Sequence, residues 1–469
     1  MTVAQLVRQL GVASTFIVLA RYISPAEFGT VTLALVIVNF FSLWADLGSE
    51  PLIARSPPQE AGAKAAAFAW RVLLTSVIIA LLVAVFASLI GKALASPEIE
   101  HALALLAAVI PMAGAAGVLR GICASTGRFG VLATAEVVGF VAAAAIAVSL
   151  AVQGNGVLAL QAQVLVSYGA SLVVLALPTI PTLVGARHSR ARREAGAARG
   201  FAGFIAINFW ARNADNLLVG RFLGLESLGL YERAYMLMYV PATQVSGALG
   251  RVMVPVLAQS WGEREILARR YIRAVQAIAF SVAPLLIWMS ASASELSVFI
   301  FGPDWHELGS LLAPLAAAGA AQSLSSTVGW LYQASGNGAA FFRNGLLFSA
   351  LTIVGICIGI LRGSPQGVAM AYAVTSGLLF LPIIAFGLKV AGIPKRTFLH
   401  GLWPFMLAGP LAWLAARLSL DLIDGPPALQ LGISLIVLGV VFGGVVVLVK
   451  PEFAGVFRAV KHMLRGAAP

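Results

Sequence analysis

Long apolar runs dominate this chain. Fourteen of them, near 3–22, 28–48, 66–90, 101–122, 130–152, 156–182, 201–223, 231–256, 272–293, 308–332, 342–361, 366–388, 398–418 and 428–449, approach or exceed the length of a membrane-spanning helix, which is about 20 residues. They are continuous, unlike the alternating segments of about ten residues that build a membrane β-barrel. In hydrocarbon, where backbone groups find no water, such a run closes its own hydrogen bonds as a helix. The expected fold is therefore an all-α integral membrane protein of about 14 transmembrane helices. Composition agrees. Of the 469 residues 60% are hydrophobic and 11% charged, against about 45–50% and 25% in soluble domains. That excludes a soluble enzyme, a disordered chain and a secreted disulfide scaffold; Cys123 and Cys357 both lie in apolar runs. The N-terminal segment reads as a retained first span, because no short apolar core with a small-residue cleavage site is present.

The formal net charge of +12 would suggest nucleic acid in a soluble protein. Here it reads as the excess of Lys and Arg in cytoplasmic loops, so no nucleic-acid partner is expected. With the N-terminus inside, outer segments receive Arg21, Lys92, Arg221, Arg233, Arg362 and Arg417. Arg8 and Arg212 fall within spans, and the remaining 23 of the 31 Lys and Arg lie inside. One missed span would invert every later loop, so the asymmetry supports both the count and the orientation, with both termini cytoplasmic. Outer loops are short, the longest near 91–100 and 294–307, and none could fold as a domain. The basic linker Arg187–Arg199 and the tail after Lys450 suit anionic lipid headgroups.

The chain also repeats. Arg21–Ala34 (RYISPAEFGTVTLA) and Arg221–Ala234 (RFLGLESLGLYERA) match in register 200 residues apart, and Ala124-Ser125-Thr126-Gly127 resembles Ala334-Ser335-Gly336. Two pseudo-symmetric six-helix lobes are expected, 1–185 and 201–388, joined by the basic linker 186–200. A helical hairpin at 389–450 and a cytoplasmic tail at 451–469 follow. Six spans per lobe insert both lobes the same way up, as in several transporter folds.

No phosphate-binding G-x-x-x-x-G-K-[ST] loop occurs, no Ser/His/acid grouping is present, and the five histidines are scattered at loops and span ends. Neither an enzyme, a metal site nor a cofactor is expected. The informative residues are charges inside spans, each costing about 2.5–3.5 kcal/mol at a helix centre unless it faces protein or water. These are Arg8, Glu136, Arg212 and Asp215. Arg212 and Asp215 share a helix face and can pair. Either they neutralise each other, or Asp215 binds a coupling cation while Arg212 faces an anionic substrate. Arg8 either snorkels to the cytoplasmic interface or faces a cavity, where a guanidinium would hold phosphate. Arg21, Arg120, Arg128, Arg221, Arg251 and Arg343 sit at span ends and read as interface anchors. Prolines within spans and 47 glycines fit kinked, closely packed helices.

Several motifs carry a family likeness. Leu19–Gly29 (LARYISPAEFG), Asp46-Leu47-Gly48, Asp215–Gly224 (DNLLVGRFLG), Leu228–Tyr235, Leu249–Pro255 and Phe301–Trp305 resemble bacterial polysaccharide exporters. These are the Wzx-like branch of the multidrug/oligosaccharidyl-lipid/polysaccharide flippase superfamily. Asn337 departs from the pattern, standing where the family often carries a charge. The resemblance implies alternating-access translocation of polyprenyl-diphosphate-linked oligosaccharide across the bacterial inner membrane. It implies lipid-linked oligosaccharide, membrane lipids and other polysaccharide-assembly proteins as partners. Either a Na+ or H+ gradient or consumption of product outside would drive transport. On that reading Arg8, Arg21, Arg128 and Arg212 bind the diphosphate, and Asp215 or Glu136 is the ion-coupling site. An ion-coupled multidrug exporter is the alternative within the superfamily; a non-transporting membrane glycan-assembly protein is the alternative outside it.

Overall fold

The structure, a computed structural model, describes residues 11, 14–45, 48–184, 209–210, 212–423 and 425–450. Arg8, Asp46, the basic linker and the tail beyond Lys450 lie outside them. Every regular element among the described residues is a helix, and eleven helical segments there are long and apolar enough to cross a membrane. They coincide with eleven of the fourteen apolar runs. The first and seventh runs fall partly outside the described residues. The eighth is a 35-residue helix too polar to be counted with the eleven.

Unit 1, Met1–Glu232, is one of two compact units. Its helices are α1 (Pro25–Ala45), α2 (Ser49–Ala54), α3 (Pro58–Val85), α4 (Ala87–Ala93), α5 (Ile99–Leu106), α6 (Val109–Ser125), α7 (Phe129–Val152), α8 (Gly156–Val184) and α9 (212–223). The helix α10 (Leu225–Gln259) follows. Unit 2, Arg233–Pro469, contains α11 (Arg264–Ser281), α12 (Ala283–Ala291), α13 (Ala293–Phe301), α14 (Leu308–Ser325), α15 (Val328–Ala334), α16 (Gly338–Ile360), α17 (Pro365–Ala391), α18 (Lys395–Leu422) and α19 (Pro427–Val449).

Helix starts follow local chemistry. At α1 the motif Ser24-Pro25-Ala26-Glu27 is a capping box. Glu27 Oε2 accepts the Ser24 N–H at 2.8 Å and its hydroxyl at 2.9 Å, and the Glu27 N–H reaches back to Ser24 Oγ at 3.4 Å. Two otherwise orphaned donors are satisfied this way. Proline opens α3, α17 and α19, where its missing N–H costs nothing. This corrects the third apolar run: the helix begins at Pro58, not near 66, because Glu60 and Lys64 are tolerated in its first turns and form an i,i+4 pair.

Three long spans are broken internally. α11 gives way to α12 at Val282, two residues before Pro284, which has no N–H for the preceding turn. α5 and α6 break just ahead of Pro111. Between α14 and α15 the run Ser323, Ser325, Ser326 and Thr327 bonds its hydroxyls back to carbonyls three residues earlier, competing with the helical ladder. The expected outer loops also contain helix: α4 runs out of the third apolar run into the first loop, and α13 occupies the start of the second.

Polar ties fix the packing within each unit. In unit 1 Arg120 holds Glu50 with Nε at 3.0 Å and Nη2 at 2.9 Å, and the Ser125 hydroxyl donates to the Ser56 carbonyl at 2.7 Å, locking α2 against the end of α6. In unit 2 Arg417 on α18 pairs with Glu295 on α13 at 2.9 Å. Gln276 donates to the Gly401 carbonyl at 2.8 Å, and the Trp288 indole donates to Ser434 at 2.9 Å. The C-terminal pair α18–α19 is thus docked on α11–α13.

Candidate functional site

In unit 1 the site is built on α9 and the start of α10. Asp215, on α9, is buried, 9% exposed. Its carboxylate accepts the Asn216 N–H at 2.9 Å and the Tyr231 hydroxyl of α10 at 3.3 Å. A buried carboxylate must be satisfied, and neutral donors do so here. Arg212, three residues earlier, is exposed, and no described residue bonds to its guanidinium. The pairing that the spacing allowed is therefore not formed: Asp215 is buried and Arg212 is exposed.

The depth of Arg212 matters. Arg221 closes the same helix, donating Nε–H to the Ala93 carbonyl at 3.0 Å with its guanidinium 5.4 Å from the Phe222 ring. At 1.5 Å rise per residue Arg212 lies about 13 Å along the axis from Arg221. A hydrocarbon core is about 30 Å thick, so Arg212 lies near its middle if Arg221 marks an interface. There a guanidinium is costly in lipid and faces protein, water or an anion.

The other sequence candidates are placed as follows. Arg21 is exposed in the turn before α1. Arg128 is the N-cap residue of α7, and its Nη1 donates to the Pro178 carbonyl of α8 at 2.6 Å; one of its five N–H groups is thereby committed. Glu136 is exposed on α7 and engaged with a neighbour. Arg8 lies outside the described residues.

The repeat-related motifs meet directly. A Cβ on Gly29 of α1 would strike the Leu225 carbonyl oxygen, and one on Gly229 of α10 would strike the Pro25 carbonyl oxygen. The two glycines, 200 positions apart, pack reciprocally backbone against backbone. Only glycine permits that approach. Beside it the Glu27 carboxylate lies against Gly156, at the N-terminus of α8, where a negative charge is favoured. Phe40 of α1 meets Phe209 and Trp210 at 5.6 Å and 5.0 Å.

Sequence reading passed over the tyrosines of α10. They recur every fourth residue, at 231, 235 and 239, the spacing of one helix face, and that periodicity was the available signal. In unit 2, Tyr235 and Tyr239 stack at 5.7 Å with an 18° interplanar angle, and Tyr372 of α17 meets Tyr235 edge-on at 5.8 Å. Among the described residues no group of three or more His, Cys, Asp or Glu could hold a metal ion.

The architecture has counterparts among solved structures. The inward closed conformation of the lipid II flippase MurJ aligns with TM-score 0.76 at 13% identity, covering 96% of this chain and 99% of that one. An inward-facing multidrug resistance transporter of the MATE family aligns with TM-score 0.65 at 17% identity, over 83% and 96%. These likenesses define the fold as that of MurJ and MATE membrane transporters.

A profile described as "Polysaccharide biosynthesis protein" matches residues 18–310. The chain belongs to that family, a Wzx-like transporter family of the multidrug/oligosaccharidyl-lipid/polysaccharide superfamily and not an enzyme family. The succinoglycan biosynthesis transport protein ExoT of Rhizobium meliloti (strain 1021) is 25% identical over 411 residues, 86% of this chain and 82% of ExoT. The lipopolysaccharide biosynthesis protein WzxC of Escherichia coli (strain K12) is 26% identical over 224 residues, 46% and 44% of the two chains.

Proposed function

We propose that this protein is a flippase that carries polyprenyl-diphosphate-linked oligosaccharide from the inner to the outer leaflet of the bacterial cytoplasmic membrane. It would work by alternating access of two six-helix lobes, with α18–α19 appended and both termini cytoplasmic. The observation that carries this reading is Arg212, an exposed guanidinium with no partner among the described residues, within the seventh apolar run of a chain of the polysaccharide biosynthesis family. A diphosphate cannot enter hydrocarbon uncompensated, and a guanidinium presents paired donors that match phosphate oxygens. Arg212 is the principal diphosphate ligand in this proposal, with Arg8 and Arg21 assisting. Arg128 offers the N–H groups left over from its bond to Pro178.

Asp215 is the proposed coupling residue: it is buried and held by neutral donors, so binding or release of H+ or Na+ would change its bonds to Asn216 and Tyr231. Glu136 is the second acid available for that role. The reciprocal Gly29–Gly229 contact supports a closed arrangement at the ends of α1 and α10 that carry the Arg21 and Arg221 motifs.

A deletion strain tests the function. The expected result is loss of surface polysaccharide, accumulation of lipid-linked oligosaccharide and unchanged susceptibility to cationic drugs. Normal polysaccharide with heightened drug sensitivity would assign the MATE-like multidrug role in its place.

A further inference from the structure

Unit 2 contains an aromatic and amide cluster that the diphosphate and ion roles do not use. It is built by α10, α14 and α17. Tyr235 and Tyr239, one turn apart on α10, stack nearly parallel, and the Tyr372 ring stands edge-on to Tyr235. The Tyr372 hydroxyl donates to Gln322 Oε1 of α14 at 3.4 Å. That leaves the amide nitrogen of Gln322 without an acceptor among the described residues. The Tyr239 hydroxyl is likewise without a partner there. Tyr235, Tyr239 and Gln322 are half-buried, while Tyr372 is buried.

The cluster is held in place from behind. Met238, fully buried on α10, packs against Gly319 of α14, where any Cβ would meet its side chain. Further along, Gly250 of α10 abuts the Trp330 indole of α15. Glycines at both crossings bring α10 close to its neighbours and fix the direction in which Tyr235 and Tyr239 project.

What those rings face follows from the polarity of α10. It is long enough to span a membrane, yet Thr243, Gln244, Ser246, Arg251 and the tyrosines leave it too polar to rank with the eleven apolar spans. A helix of that kind inside a membrane bundle turns its polar face to protein or water rather than to lipid. The partly exposed tyrosine rings and the unused amide and hydroxyl therefore point to an occupant both apolar on one side and rich in hydroxyls. A pyranose ring has that chemistry. Its axial C–H face packs on an aromatic ring, and its hydroxyls take hydrogen bonds from amide and phenol groups.

We propose that Tyr235, Tyr239 and Gln322, with Tyr372 buttressing them, form a glycan subsite that holds a sugar of the oligosaccharide head group. The subsite rests on the flippase reading and deepens it. The charged candidates belong to unit 1, whereas this neutral aromatic surface belongs to unit 2.

The test is equilibrium binding of two probes to the purified full-length protein in detergent. One is undecaprenyl diphosphate carrying the repeat oligosaccharide of the producing strain; the other is undecaprenyl diphosphate without sugar. Wild type is expected to bind the glycan-bearing lipid more tightly. Tyr235→Leu and Tyr239→Leu should each weaken that lipid roughly three- to tenfold. Tyr239→Phe, which keeps the ring, should lose less, and Gln322→Leu removes the amide without disturbing the stack. Binding of the sugar-free lipid should stay within about twofold in all four, which also reports that the variants are folded.

Equal loss of both lipids in the leucine and Gln322→Leu variants would make the cluster structural and overturn the subsite. So would a wild-type protein indifferent to the sugar, or leucine and Gln322→Leu variants that keep the full glycan increment. Those results leave the flippase reading standing if the deletion strain still loses polysaccharide. Normal polysaccharide in that strain overturns the flippase reading itself.

Discussion

Two helix–helix turns, one in each unit, share a backbone and differ in the side chain at their centre. α6 runs into α7 through Gly127, at φ 69°, and α15 runs into α16 through Gly336, at φ 68°. In both, the next residue returns its N–H to a carbonyl five positions back: Arg128 to Cys123 at 2.8 Å, Asn337 to Tyr332 at 3.1 Å. The hairpins that follow also turn on matching left-handed glycines, Gly154 and Gly363. Yet Arg128 reaches across to the Pro178 carbonyl, whereas the Asn337 side chain caps its own helix by accepting the Ala340 N–H at 3.1 Å. The turn geometry is repeated; the charge is not. The same contrast holds more widely. The diphosphate and ion candidates Arg21, Arg128, Glu136, Arg212 and Asp215 lie in unit 1, while the aromatic–amide cluster of Tyr235, Tyr239, Tyr372 and Gln322 lies in unit 2.

The largest effect is expected where the repeat touches itself. Gly29→Val and Gly229→Val each drive a side chain into a backbone carbonyl that cannot rotate away. Overpacking of even adaptable sites costs about 1–3 kcal/mol, so both variants should abolish export, and surface polysaccharide assays at matched protein levels would read this. Normal export in either would mean that the contact is dispensable.

Next comes the charge asymmetry. Arg212→Ala should abolish export while leaving membrane yield and melting behaviour unchanged, because no described residue depends on the guanidinium. Arg212→Lys should retain part of the activity, since Lys supplies the charge without the paired geometry. Export by Arg212→Ala equal to wild type would remove the principal ligand from the proposal.

The two turns provide a matched pair of smaller tests. Gly127→Ala and Gly336→Ala each force an L-residue into the left-handed region, at a cost of roughly 1–2 kcal/mol. Thermal unfolding in detergent should show similar losses. Unequal losses would break the equivalence of the turns. Asn337→Ala removes a side-chain cap and should cost about 0.5–2 kcal/mol without affecting lipid binding. The smallest effect is expected from Tyr231→Phe, which deletes one 3.3 Å hydrogen bond to Asp215, about 1 kcal/mol by typical measure. It should alter the ion dependence of transport more than its stability.

Much of the fold was legible because each spanning helix must be apolar for about 20 residues. That requirement marked α1, α7, α8, α16, α17 and α19 closely. It failed where a helix did not need to be apolar. α3 starts at Pro58 through a polar first turn, α4 runs on into a segment that reads as a loop, and α13 lies in another such segment. It also said nothing of breaks set by single residues, such as Pro284 between α11 and α12. At the candidate site the spacing of Arg212 and Asp215 placed them on one face but could not reveal that Tyr231 and the Asn216 N–H already satisfy the carboxylate. That arrangement depends on a tertiary contact between α9 and α10. The offset-200 match was visible as sequence, but its meaning, a reciprocal glycine crossing, required the fold. The tyrosines of α10 went unread because aromatic periodicity in a membrane helix looks the same whether the face meets core, lipid or sugar.

The most direct measurement is the sidedness of the lipid-linked oligosaccharide in spheroplasts, read with a membrane-impermeant glycosidase or lectin. With the protein present, a fraction of the lipid-linked glycan should be accessible from outside. With the gene deleted or Arg212 replaced by Ala, the pool should enlarge and become fully protected. An accessible fraction unchanged by deletion would contradict translocation by this protein.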